Sequence, residues 1–427
     1  MIDFIKKNTL YSKLTGINIL SKVGDRLFYT AMLTIAASLN NGSIAIMIVS
    51  ASETLPIILS MVLGVVSDTK KNKLKLLVIS SYYRALIYVG IALLFKSKPT
   101  LILVIIAAFL NLLSDIGGNF SSALISPFTK IMIKKEDMEQ AQGLVSLSSQ
   151  LVSVIATFIG ALLLSYFKNS SIALINAFLF WFVGTLYWIM KPLLGSYEDS
   201  INIIEGNSIL LSIKDNYKSI TSDYVLLVNL IQLAMLNGFF GGLTPIFALF
   251  LNTNRELAIL STPVKISLLS GTITVFMIIG NAVTTKILRK KSIFFINFVS
   301  NILIVIVGIG FILNSFWVII ITNSCIALLL GIIAPRFTAE IVNKYPIEHI
   351  GGIVASINAF LVILPPITSL VFPMLATIDL SIAYRTFIFY PIVLLFVCML
   401  LMRRQKSKIS KENSRYSLKT KEYLEET

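Results

Sequence analysis

The sequence predicts an all-α integral membrane protein: twelve transmembrane helices in two six-helix halves, with both termini cytoplasmic. Three observations carry this. First, 56% of the 427 residues are hydrophobic and only 13% are charged, whereas soluble domains average about 25% charged. Second, apolar runs of about 20 residues, enough to cross the hydrocarbon core as helices, recur along the whole chain. Third, basic residues alternate between rich and poor in successive connections.

The runs lie at 14–38, 43–67, 74–94, 101–125, 142–165, 170–190, 225–249, 265–287, 292–313, 316–335, 351–375 and 384–402. The first is too long for the apolar core of a signal peptide and has no small-residue cleavage site, so it reads as a retained span. Most connections are short and carry Gly, Pro, Asn, Ser or charge. The exception is 191–224, which is polar and contains an amphipathic pattern over 209–222. The expected organisation is a first bundle at 1–190, a cytoplasmic central loop at 191–224 and a second bundle at 225–402. A charged cytoplasmic tail follows at 403–427 and reads as an inner-leaflet anchor.

Charge sets the orientation. With a cytoplasmic N-terminus, 27 of the 36 Lys and Arg residues fall inside and 6 outside. The other three, Lys22, Arg26 and Arg84, lie within spans. The net charge of +15 therefore faces membrane lipid, and no nucleic-acid partner is expected.

The chain also repeats itself. "SPFTKIMIKKEDMEQAQGLVSL" from Ser126 matches "PRFTAEIVNKYPIEHIGGIVASI" from Pro335 at a constant offset of 209. The offset aligns Phe128 with Phe337, Thr129 with Thr338, Glu139 with Glu348 and Gly143 with Gly352. One copy joins spans four and five and the other joins spans ten and eleven. This implies two halves related by a parallel repeat.

Several spans carry polar stripes. Asn18, Lys22, Asp25, Arg26 and Tyr29 recur at helical spacing on span one, as do Asn111, Ser114, Asp115, Gly118 and Ser122 on span four. Glu53 lies in span two, Arg84 in span three, and Ser146, Ser149 and Ser153 in span five. A charge at the bilayer centre costs roughly 2.5–3.5 kcal/mol on insertion scales. The stripes should therefore face neighbouring helices or a wet cavity. Asp25, Arg26, Glu53, Arg84 and Asp115 then form either a proton-coupling group or a static ion-pair network. The second half has no acid deep in a span, so coupling should reside in the first. The residues read as lining a substrate cavity are Asn18, Lys22, Tyr29, Asn111, Gln232, Asn237 and Phe240.

Enzymatic classes find little support. His349 is the only histidine, Cys325 and Cys398 lie in apolar runs, and there is no P-loop. No catalytic group, metal site or cofactor is expected.

Four stretches give the chain a resemblance to the major facilitator superfamily, and within it to the macrolide-efflux and siderophore-exporter-like branch. They are "SKVGDRLF" in span one, "ETLPIILSMVLGVVSDTKKNK" from Glu53, "SPFTKIMIKKEDMEQAQGL" from Ser126 and "LINAFLFWFVG" in span six. In the family's loop 2–3 motif, Gly64, Asp68 and Lys73 match; the first arginine is replaced by Thr69 and the second glycine by Lys71. The resemblance implies a cytoplasmic gate built on Gly64, Asp68, Lys71 and Lys73, with Asp68 near the start of span eleven at Gly351 and Gly352. It also implies alternating access and proton-coupled efflux of an amphipathic small molecule or peptide by a monomer in a bacterial plasma membrane. Rival readings are an importer of the same fold, a lipid or lysolipid flippase, and a non-transporting sensor or self-protection protein.

Overall fold

The computed structural model describes residues 2–37, 39, 42–201, 209–251, 262–285, 288, 290–400 and 403. Every regular element among them is a helix. In chain order these are α1 (Ile2–Lys7), α2 (Thr9–Ala37), α3 (Gly42–Asp68), α4 (Lys73–Leu94), α5 (Leu101–Met132), α6 (Met138–Tyr166) and α7 (Asn169–Asp199). They continue as α8 (Ile209–Ser222), α9 (Tyr224–Phe250), α10 (Thr262–Val283), α11 (Ile293–Ile312), α12 (Phe316–Lys344), α13 (Ile350–Ile378) and α14 (Leu380–Leu400). The sequence's charged tail lies outside the described residues beyond 403.

Among the described residues, nine helices are long and apolar enough to cross a membrane. The runs predicted at 14–38, 142–165 and 265–287 correspond to α2, α6 and α10, which are not among the nine. In α2, the cluster of Lys22, Asp25 and Arg26 interrupts the apolar pattern.

Local chemistry sets several helix ends. Thr100 begins α5 by accepting the Leu103 N–H, and Ser292 begins α11 by accepting the Phe295 N–H. Asp223 does the same for α9 through the Val225 and Leu226 N–H groups. Pro56, Pro127, Pro245 and Pro335 sit inside long helices. Membrane helices tolerate this because neighbouring groups re-satisfy the freed carbonyls.

The chain divides into two compact units. The first holds Met1–Tyr217, Met277–Arg289 and Gly331–Ile363. Its core has two apolar clusters. In one, Tyr88 stacks on Phe180 with centroids 5.2 Å apart, and Phe28 meets the Tyr88 ring edge-on at 4.8 Å. The other gathers Leu14, Leu77, Phe128, Val183 and Leu194 from α2, α4, α5 and α7. Both joints of the repeat have the same form, a long helix, a short 3₁₀ turn and a second long helix; the turns are Lys135–Asp137 and Ile347–His349.

The second unit holds Lys218–Phe276, Lys290–Leu330 and Leu364–Thr427. Its core is aromatic. Phe372 stacks on Phe387 at 4.6 Å and Phe311 on Tyr384 at 4.9 Å. Thr368 on α13 donates to the Gly238 carbonyl of α9 at 2.6 Å, a close approach allowed by the missing glycine side chain.

Large apolar side chains also point outward in both units. Leu86, Phe178 and Trp188 in the first, and Leu370 and Phe389 in the second, are each more than 60% exposed. Apolar surface on this scale is what a lipid-facing bundle presents.

Candidate functional site

The first unit concentrates its charge where α2, α3, α4 and α5 meet. Arg84 on α4 is 1% exposed. Its guanidinium forms an ion pair with Asp25 on α2. It also donates to Ser21 Oγ at 2.7 Å and Ser114 Oγ at 3.1 Å. Its carbon centre lies 3.8 Å from the centroid of the Phe180 ring, so the aromatic face closes the remaining side. Gly118 on α5 leaves the space: a Cβ there would fall 3.1 Å from Arg84 Nη1.

Arg26, on the same helix as Asp25, pairs with Glu53 of α3 at 3.0 Å. Asp115 on α5 is buried and accepts from Asn111 Nδ2 at 2.8 Å; the Tyr88 hydroxyl donates to Asn111 Oδ1, also at 2.8 Å. Lys22 donates to Ser149 Oγ of α6 at 3.0 Å.

These groups border two adjoining cavities in the first unit. The first, of about 270 Å³, is walled by residues of α2, α3, α5 and α6 and by the 334–358 segment. The second, of about 230 Å³, is lined by Lys22, Asp25, Arg26, Glu53 and Asp115 among others. Asn18, Lys22, Ile57, Asn119 and Ser122 line both.

The structure thus brings together Asp25, Arg26, Glu53, Arg84 and Asp115, with Asn18 and Lys22 on the cavity walls. It places the other predicted cavity residues elsewhere. Tyr29 packs against the apolar cluster around Phe28, and Asn111 serves the Asp115 carboxylate. Gln232, Asn237 and Phe240 lie on α9 in the second unit and line neither cavity. Phe240 meets Phe239 edge-on at 5.2 Å.

A second group of contacts lies at the α3–α4 turn and the two repeat joints. The Asp68 carboxylate, at the end of α3, accepts the Gly351 N–H at 3.0 Å and the Gly352 N–H at 2.7 Å. It therefore caps the positive N-terminal end of α13. Gly64 permits this approach, since a Cβ there would lie 2.6 Å from the Gly351 carbonyl oxygen. Lys73 is buried and donates to the Ser67 carbonyl, whereas Lys71 is exposed.

Sequence reasoning missed four participants at this end. Glu198 caps α4 by accepting the Leu74 N–H at 2.7 Å. Lys130, at the end of α5, donates to the Val342 carbonyl at 2.6 Å and to the Tyr345 carbonyl. Arg336 approaches Glu139 at 3.8 Å. Asn216 of α8 is buried with its amide beside Gly352: a Cβ at that glycine would lie 2.6 Å from Asn216 Nδ2. The only signals in the sequence were a basic residue in the last turn of α5 and the period of the amphipathic 209–222 segment.

The family model of the Major Facilitator Superfamily matches residues 14–368. The chain belongs to this superfamily. Its members are transporters rather than enzymes, so this facilitator is a multi-pass membrane transport protein. No curated protein matches it. Among solved structures it is similar to a bacterial homologue of the iron transporter ferroportin in an outward-facing state with soaked iron. That match has a TM-score of 0.68 and 14% identity, covering 92% of this chain and 99% of the other. It is similar to a human organic anion transporter, with a TM-score of 0.61 and 12% identity, covering 92% of this chain and 99% of that one. It is also similar to a proton:xylose symporter bound to a bromo-deoxyglucose, with a TM-score of 0.57 and 14% identity, covering 93% of this chain and 96% of that one.

Proposed function

We propose that this facilitator is a proton-coupled exporter of an amphipathic small molecule or peptide. It would work by alternating access as a monomer in a bacterial plasma membrane, in the manner of the macrolide-efflux and siderophore-exporter-like branch. The proposal includes twelve spans, cytoplasmic termini and two six-helix halves, at 14–190 and 225–402. The alternation of basic connections and the repeat at Phe128 and Phe337 support that layout.

One observation carries the coupling: Asp25, Glu53 and Asp115 share a cavity wall, and arginines hold two of them. A proton and an arginine are alternative partners for a carboxylate, so one that leaves its arginine becomes available to a proton. Rearranging the Arg84–Asp25 and Arg26–Glu53 pairs as access alternates would therefore load and release protons. The Asp68 contact at the start of α13 would hold the cytoplasmic side shut during the outward-open phase. Accumulation of cargo in inverted vesicles, with and without an imposed proton gradient, tests this reading. Accumulation that requires the gradient supports it. Gradient-independent scrambling of labelled lipid favours a flippase.

A further inference from the structure

We infer that Lys22 is the anchoring cation for cargo, and that the cargo is a small organic anion seated in the larger cavity. This rests on the reading of that cavity as the transport site and names the class of molecule it takes.

The charges of this region are paired unevenly. Three basic side chains, Lys22, Arg26 and Arg84, stand in the membrane part of α2 and α4, facing three acids, Asp25, Glu53 and Asp115. Arg84 has Asp25, two serine hydroxyls and the Phe180 face. Arg26 has Glu53 at 3.0 Å. Lys22 has one neutral partner, Ser149 Oγ at 3.0 Å, and forms no ion pair with any described residue. The Asp25 carboxylate one turn further along α2 attracts it but is already engaged by Arg84, and a basic group in a membrane helix marks a substrate or ion pathway.

The cavity walls show where an anion would sit. On the smaller cavity Lys22 shares the wall with Asp25, Arg26, Glu53 and Asp115, which carry net negative charge. On the larger cavity Lys22 is the only charged side chain among the lining residues. The rest of that wall is mixed. Tyr11, Thr15, Asn119 and Ser146 offer hydroxyl and amide groups, while Ile57 and Val354 offer apolar surface. A volume of about 270 Å³ suits a small ligand with one anionic group at Lys22 and a body that is partly apolar. The acids of the smaller cavity would repel that anion, so it would be confined to the Lys22 side.

The test uses purified full-length protein in detergent and two probes matched in shape, benzoate and neutral benzamide. Thermal unfolding is followed over a concentration series at constant ionic strength. Ligand that binds only the folded state raises Tm in a saturable way. The expected result is a rise with benzoate and none with benzamide. Lys22→Arg should keep the effect, and Lys22→Gln should weaken apparent affinity by at least about 30-fold, as for removal of one member of a buried charge pair. Because Lys22→Gln can itself impair folding, the unaltered chain gives a second readout. Benzoate, but not benzamide, should protect Lys22 from acetylation by acetic anhydride, as read by peptide mass spectrometry. Equal effects of the two probes, no effect of either, or a full benzoate effect in Lys22→Gln would overturn the assignment. The binding measurement needs no proton gradient, so its failure is distinct from failure of gradient-driven transport.

Discussion

Arg84 and Asp25 form an ion pair between α4 and α2 in which the arginine is almost wholly enclosed. The two partners are not equivalent. Without Asp25, the guanidinium keeps Ser21, Ser114 and the Phe180 ring. Without Arg84, the Asp25 carboxylate loses the cation that pairs with it directly.

Arg84→Gln and Asp25→Asn should each destabilise the protein. Breaking a buried pair by removing one partner costs about 3–5 kcal/mol. Asp25 keeps 23% side-chain exposure, which places the cost at the lower end. The Asp25→Asn/Arg84→Gln double variant should recover most of the loss. Thermal unfolding in detergent of the three variants checks this; a double variant no more stable than Arg84→Gln would show that the pair's charge balance is not what matters.

Asp68→Asn should open the cytoplasmic side. The carboxylate caps the N-terminus of α13 through two backbone bonds, and such a cap contributes up to about 2 kcal/mol when partly buried. That corresponds to a shift of up to roughly 30-fold in the population. The readout is the rate at which a membrane-impermeant maleimide, added on the cytoplasmic side, labels Thr338→Cys on the cavity wall. An unchanged rate would remove Asp68 from the gate.

Gly64→Ala should act in the same direction without altering any charge. The added methyl would fall 2.6 Å from both the Ala355 Cβ and the Gly351 carbonyl oxygen. Neither neighbour is the end of a flexible chain, so α3 and α13 must separate, at about 1–3 kcal/mol. Labelling of Thr338→Cys in the Gly64→Ala background should accelerate as it does for Asp68→Asn.

The contact of Asp68 with Gly351 and Gly352 was legible only through the resemblance of the short α3–α4 loop to the family motif. The presence of Asp25, Arg26, Glu53 and Arg84 within spans was plain, since charge in an apolar run stands out at once. Their pairing was not. Which carboxylate meets which arginine depends on how α2, α3 and α4 are rotated about their own axes, and each helix's own period leaves that free. The same freedom explains Tyr29, which belongs to the polar stripe by spacing yet turns into the apolar cluster at Phe28. Lys130 was read only as inside charge; its use on the Val342 and Tyr345 carbonyls depends on two joints more than 200 residues apart in the chain meeting in space.

Lys130→Met should weaken the same closure, because it frees the two carbonyls at the end of α12. A cation at a helix C-terminus contributes about 0.3–1 kcal/mol when exposed and up to about 2 kcal/mol when partly buried. Combined with Asp68→Asn, the effects should fall short of additive if both act on one closing step. Thr338→Cys labelling of the two single variants and the double variant measures this directly.

The central claim is that the paired carboxylates couple proton flow to transport. The most direct measurement is accumulation of a fluorescent amphipathic cargo in inverted vesicles, driven by an imposed proton gradient. It is made for the unaltered chain, Asp25→Asn and Glu53→Gln at matched expression. The account predicts uptake that a protonophore abolishes, and loss of gradient-driven uptake in both variants while cargo binding persists. Full gradient-driven uptake in both variants would contradict it.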